Sequence, residues 1–211
     1  KYPFRCFVTS KVAYENDKLK KAEKDFKKIS LEEVLEKRAN PVKRETIGDL
    51  GSINKLVELK AMECPKLLRE DLQNLFKGIK LNNAVSVLNL TQKTKNDMSV
   101  WSIDMEVEKL QLTAGFIEAA LKICESLRRD GYWADFIDPS SGLPYLGKYT
   151  KAKFCNTDDR YKHMGYRITH FGCCKVLEHG AWGKNAFVGT IFTDAPIYSA
   201  ALVEILGYEK D

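Results

Sequence analysis

The chain has 211 residues, 44% of them hydrophobic, enough for one ordinary globular core or two small ones and too many for a chain disordered throughout. Its longest apolar runs, such as Ala186–Phe192, fall far short of the roughly 20 residues that a bilayer-spanning helix needs, so no membrane span is expected. The formal charge of +5 lies wholly in residues 1–60, where fifteen Lys and Arg face ten interspersed Asp and Glu, while residues 61–211 carry nineteen of each. Counterion release on nucleic acid needs clustered cations, so no nucleic-acid partner is expected either.

In chain order, residues 1–54 read as a charged, flexible arm ahead of a single α+β domain over 55–211. Lys1–Lys11 holds bases and no acids, compatible with the tail of a transit peptide whose body lies upstream. Ser30 and Glu33 form a capping box that predicts a short helix over 31–39, ended by Asn40-Pro41. Val57, Leu59 and Ala61 alternate with charges as in a half-buried strand, and Pro65 opens a helix over 65–76 with Leu68, Leu72 and Leu75 at helical spacing. Residues 84–91 read as a strand, and the alternation of Trp101, Ile103, Met105 and Val107 as its hairpin partner across the loop Gln92–Met98. A helix over 109–129 follows, closed by Gly131. Then come a short strand at Tyr132–Ile137, a turn at Asp138–Gly142, one helical turn near Asp158–His163, and strands over 173–179 and 185–193 with Trp182-Gly183 at their turn. A last helix is capped by Thr193 or Asp194 and ends at Gly207. Mixed order without βαβ repetition indicates a largely antiparallel sheet flanked by helices.

Six cysteines at 6, 64, 124, 155, 173 and 174 have no CxxC spacing and do not make a disulfide scaffold, which points to a reducing compartment. The dinucleotide fingerprint, the phosphate loop and the HExxH, GxSxG and kinase signatures are all absent from the sequence. His163, His170 and His179 lie near Cys155, Cys173 and Cys174, so a zinc site can be drawn, although no ligand pair has the short spacing of structural zinc. Phe171-Gly172-Cys173-Cys174-Lys175-Val176 is the most distinctive stretch. Neighbouring strand residues face opposite ways, so one cysteine is expected buried and the other exposed. A cation such as Lys175 raises the thiolate fraction, and a thiolate suits soft metals; two small buried hydrophobes remain the alternative. Tyr132–Ile137 reads as sheet core rather than an aromatic platform, and Lys93, Lys95, Asn96 and Asp97 as either an interaction loop or a solvated tip.

Several long words carry a resemblance: Gln92–Met98 with Val100-Trp101-Ser102, Gly131–Leu143, Gly172-Cys173-Cys174-Lys175-Val176, and Trp182-Gly183 with Val188–Thr193. Over about 55–195 the chain resembles the methylmalonic aciduria and homocystinuria type D (CblD) family of cobalamin trafficking proteins. The resemblance implies a nitroreductase-like fold used without flavin, in a non-enzymatic adaptor; separately, the chain alone is expected to be monomeric, although relatives of that fold often dimerise. It implies binding to cobalamin-loaded CblC and direction of the cofactor to methionine synthase or methylmalonyl-CoA mutase, in cytoplasm and mitochondrion. Cys173 then supplies a thiolate to the cobalt of cobalamin held by CblC, with Cys174 packed inward and Lys175 favouring the ionised thiol. A flavin- or thiol-dependent oxidoreductase using Cys173 is the alternative.

Overall fold

The computed structural model describes residues 56–80, 84–147, 152–155, 157–171 and 174–207. The arm and its expected helix over 31–39 lie outside the described residues, as do Gly172 and Cys173. The chain divides after Ile53 into two units, and the described residues all belong to the second, Asn54–Asp211.

Four strands form an antiparallel sheet in the order β1-β2-β6-β3: β1 at Val57–Glu63, β2 at Ser86–Lys93, β6 at Ala186–Thr193 and β3 at Ala134–Phe136. Strands β4, Arg167–Phe171, and β5, Cys174–Glu178, pair separately as an antiparallel ribbon. Every residue of β6 is buried, because this central strand is covered on both faces. Its alternate side chains therefore feed two cores. On one face Val87, Val188 and Phe192 meet Leu68, Leu72 and Leu75 of helix α1, Lys66–Leu75, together with Phe154, Tyr161, Tyr166, Ile168 and Leu177. On the other, Leu88, Phe187 and Ile191 meet Phe116, Ala120, Cys124 and Leu127 of helix α2, Ile103–Arg129, and Ala201 and Leu202 of helix α3, Ala200–Leu206. The result is an α+β sandwich of helix, sheet, and a mixed helix-and-ribbon layer.

The stretch Trp101–Val107 departs from expectation. It is no hairpin strand: Ser102 caps α2, its Oγ accepting from Met105 N at 3.1 Å, and the helix starts at Ile103. Trp101 is 61% and Ile103 49% exposed, so the apolar alternation marks no buried sheet face. Asp104 and Glu106 in the first turn and Arg128 and Arg129 in the last complement the helix dipole, and Gly131 closes the helix at φ +86°, in the left-handed region. Strand β4 is an element the sequence pattern does not reveal. Helix α3 begins at Ala200, capped by Ser199, several residues after the expected cap at Thr193 or Asp194. Among the described residues, no helix is long and apolar enough to cross a membrane.

Candidate functional site

Cys174 and Lys175 of the Gly-Cys-Cys-Lys word open strand β5, at one end of the β4–β5 ribbon. Pairing runs from Arg167↔Glu178 to Phe171↔Cys174, so Gly172 and Cys173 alone join the two strands. Ile168 and Leu177, cross-strand partners, are both buried and anchor the ribbon on the core. Two residues further out on the same face, His170 and Lys175 are also directly opposite each other. Cys174 shares its face with buried Val176 and is half-buried.

Lys175 is engaged with Asp159: its Nζ donates to Asp159 Oδ2. Asp159 opens a short 3-10 helix, Asp159–Met164, and gathers further cations, with Lys162 Nζ at 2.8 Å and His170 Nε2 at 3.8 Å from its Oδ1. Hydrogen bonds from Lys162 and Lys175 hold its carboxyl well below the usual carboxylate range. The positive charge of Lys175 is thus balanced by a carboxylate rather than acting on a neighbouring thiol alone. The 3-10 helix is itself fixed. Asp158 caps it, accepting from Arg160 N at 2.9 Å, and the Arg160 guanidinium binds Asp158 at 2.8 and 2.7 Å, Asp71 of α1 at 3.1 Å and the Lys153 carbonyl at 2.9 Å. Its carbon also lies 4.6 Å from the Phe154 ring centroid.

Beneath this layer runs a buried polar seam on the sheet. Thr190 Oγ1 donates to Asn89 Oδ1 at 2.8 Å, which uses its one proton, so the Tyr161 hydroxyl donates to Thr190 at 2.9 Å. Asn89 Nδ2 reaches Met164 Sδ at 3.6 Å, and Tyr166 and Thr91 share a 2.6 Å hydrogen bond. Burial pushes both phenols up, Tyr166 to about 12, so neither ionises near neutral pH. The seam fixes where the 3-10 helix and the base of β4 sit, and has no exposed reactive atom to offer a substrate. Two further clusters are also accounted for structurally. Glu108 of α2 accepts from Lys95 N at 2.6 Å, Asn96 N at 2.9 Å and Asn96 Nδ2 at 2.7 Å, pinning the 92–98 loop to the helix. Asp135, buried in β3 with its pKa raised by burial, accepts from Phe136 N at 2.7 Å and Leu146 N at 2.8 Å.

The remaining expected candidates separate. His163 and His170 are exposed, whereas His179 is 8% exposed, 3.0 Å from Glu58 Oε2 and 4.5 Å from the Trp182 ring by centroids. Among the described residues no group of three His, Cys, Asp or Glu side chains could hold a metal ion, so the zinc site is not assembled there. Desolvation pushes the Cys64 thiol up to about 11 and the Cys124 thiol up to about 12; both are buried and unsuited to act as thiolates. Cys155, by contrast, is disulfide-bonded. Sequence reasoning missed Asp159, Arg160 and the two tyrosines, because their partners lie 16 to 89 residues away and leave no local pattern.

A family model described as methylmalonic aciduria and homocystinuria type D protein matches residues 7–206, so the likeness reaches well into the arm, beyond the 55–195 of the shared sequence words. The chain is 47% identical over 151 residues to the cobalamin trafficking protein CblD of Rattus norvegicus and to that of Homo sapiens. Against that of Gallus gallus it is 46% identical over 154 residues. These alignments cover 72–73% of the chain and 51–52% of the relatives, so the chain spans about half the length of the curated relatives it matches.

Proposed function

Since the chain belongs to the methylmalonic aciduria and homocystinuria type D protein family, we propose that it serves cobalamin trafficking as a non-enzymatic adaptor, with Cys173 as the group that meets the cofactor. The observation that carries this is the position of the Gly-Cys-Cys-Lys word. Phe171 and Cys174 are the last cross-strand pair of a ribbon anchored by Ile168 and Leu177, and Cys173 directly precedes Cys174 in the chain. A thiolate is a soft anionic donor and suits cobalt held by another protein. The bond then forms only when the two proteins meet, so coordination reports correct docking.

In this account the partner is cobalamin-loaded CblC, and the cofactor passes on to methionine synthase or methylmalonyl-CoA mutase, in cytosol and mitochondrion. The domain is taken as nitroreductase-like in architecture and works without flavin. Lys175, balanced by Asp159, holds the ribbon end against the 3-10 helix, and Cys174 packs beside Val176. Mixing the chain with cobalamin-loaded CblC and recording the corrinoid absorption tests the proposal. Wild type is expected to shift the spectrum and Cys173→Ser to leave it unchanged. An equal shift from the variant rejects Cys173 as the ligand, and stoichiometric flavin on the purified chain would favour the oxidoreductase instead.

A further inference from the structure

The four-stranded sheet ends on β3 at one side and on β1 at the other, and the two edges differ. Ile137 N donates to the Thr190 carbonyl at 3.1 Å and Asp194 N to the Trp133 carbonyl at 3.2 Å. In the antiparallel alternation, Trp133, Asp135 and Ile137 therefore turn their backbone groups towards β6, while Ala134 and Phe136 turn theirs outward. Both outward carbonyls are taken: Ala134 accepts from Arg128 at 3.2 and 2.8 Å, and Phe136 from Tyr145 N at 2.9 Å. Along β1, Cys64 N donates to the Val85 carbonyl and Lys93 N to the Leu56 carbonyl, both at 2.7 Å. Leu56, Glu58, Lys60 and Met62 thus face β2, and the backbone groups of Val57, Leu59, Ala61 and Glu63 point away from the sheet. No described residue hydrogen-bonds to those outward groups. Strand β1 runs seven residues in unbroken register with β2, with no proline and no bulge to blunt the edge, so its charges are the guard that remains.

We propose that β1 is a self-pairing edge, through which two copies of the chain join antiparallel about a two-fold axis at Leu59 and merge their sheets into one. A two-fold pairing sets each outward-facing residue of β1 opposite another, so the axis passes through one residue of the strand. At Glu58 or Lys60 it sets like charges face to face, which is destabilising. At Ala61 it sets Leu59 against Glu63 and Lys60 against Met62. At Leu59 it sets Glu58 opposite Lys60 of the second copy, and Lys60 opposite its Glu58, with Leu59 on Leu59, Val57 on Ala61 and Leu56 on Met62. The charges that guard the edge against other strands are therefore complementary to their own copy. Glu58 and Lys60 then form the non-hydrogen-bonded pairs of the new ladder, the closer kind, with Cα atoms about 4.5 Å apart. Both side chains reach this face already: they bond each other within the chain at 2.8 Å, and Lys60 is 61% exposed. His179 Nε2, 3.0 Å from the other Glu58 oxygen, steadies that carboxylate at the edge. On the opposite face Leu59 and Ala61 pack against the α2 core, so pairing carries that apolar layer across the seam. One strand per copy makes a small contact, hence a weak dimer that dissociates when dilute.

The pairing stands on the sheet alone and is independent of Cys173. Sedimentation velocity of the whole chain across the micromolar range tests it, with amide exchange read at β1. Wild type is expected to show a concentration-dependent dimer and slower exchange at Leu59 and Ala61 as the concentration rises. Lys60→Glu leaves two anions on the edge and Glu58→Lys two cations, so each variant alone should self-associate roughly tenfold more weakly or worse. An equimolar mixture of the two variants is expected to associate as wild type does, because each anionic edge then meets a cationic one; recovery also shows that both variants are folded. A wild type that stays monomeric throughout the range overturns the proposal, as does a dimer that Lys60→Glu leaves unweakened. A mixture that fails to recover, with both variants matching wild type by circular dichroism, overturns the register. Protection of Leu59 that appears only when cobalamin-loaded CblC is added gives the edge to a different chain and overturns self-pairing.

Discussion

Gly189 lies in the middle of β6, opposite Leu90, on the face that α2 covers. A Cβ built there meets the Phe116 ring at 2.2 Å from both Cδ2 and Cε2. Carbon atoms in good contact stand about 3.5–4.0 Å apart, so the ring must retreat by more than ~1 Å. It has nowhere convenient to go: Phe116 is fully buried and packs edge-on against Phe136 with centroids 5.7 Å apart. Gly189→Ala gains about 0.5–1 kcal/mol from a less flexible unfolded chain. Overpacking a tight core costs roughly 1–3 kcal/mol or more, so the clash wins and the net loss is about 2 kcal/mol. For a domain of this size that lowers Tm by about 4–8 °C. The assay is urea and thermal unfolding of wild type, Gly189→Ala, Phe116→Leu and the double variant. The smaller Leu relieves the clash, so the double variant should be more stable than the sum of the single losses by about 1 kcal/mol or more. Additive losses, or a Gly189→Ala protein as stable as wild type, would refute the close approach of α2 to β6.

Glu108→Ala removes the acceptor for three donors of the 92–98 loop, one of them at 2.6 Å, and should cost about 1–3 kcal/mol; amide exchange at Lys95 and Asn96 should rise while β2 itself stays protected. The Asp159 carboxyl sits below its ordinary value because Lys162 and Lys175 bind its charged form. A carboxyl with a depressed folded-state pKa contributes stability above its unfolded value of about 3.9 and loses it as the pH falls below that value. Asp159→Asn should therefore flatten the acid limb of the stability profile between about pH 5 and 2, as followed by urea midpoints across that range, and an unchanged limb counts against the ion-pair cluster. Tyr166→Phe breaks the 2.6 Å bond to Thr91 in a buried setting and should cost about 1 kcal/mol in the same unfolding assay.

How much of the molecule was legible depends on the range of the interactions involved. Strands β2 and β6 and helix α1 declare themselves, because runs such as Val85–Leu90 and Ala186–Phe192 or the Leu68-Leu72-Leu75 spacing report local burial. Trp101–Val107 misleads because an apolar residue left exposed, as Trp101 and Ile103 are, mimics a strand period without a sheet behind it. Strand β4 hides because Arg167 and His170 are exposed, Thr169 is half-buried, and only Ile168 among its described side chains is buried. The Gly-Cys-Cys-Lys word was visible, and so was the possible role of Lys175 beside it. Its partner Asp159 was not, since nothing in a sequence pairs a carboxylate with a cation 16 residues away. The same holds for Cys155, whose spacing from the other cysteines matches no motif.

The central claim is that the sulfur of Cys173 ligates cobalt across a protein boundary, and X-ray absorption at the cobalt edge reads that bond directly. In the purified complex of this chain with cobalamin-loaded CblC, a cobalt–sulfur scattering shell is expected for wild type and none for Cys173→Ser. A wild-type spectrum fitted by nitrogen and oxygen or carbon neighbours alone, or a sulfur shell that survives the substitution, contradicts it.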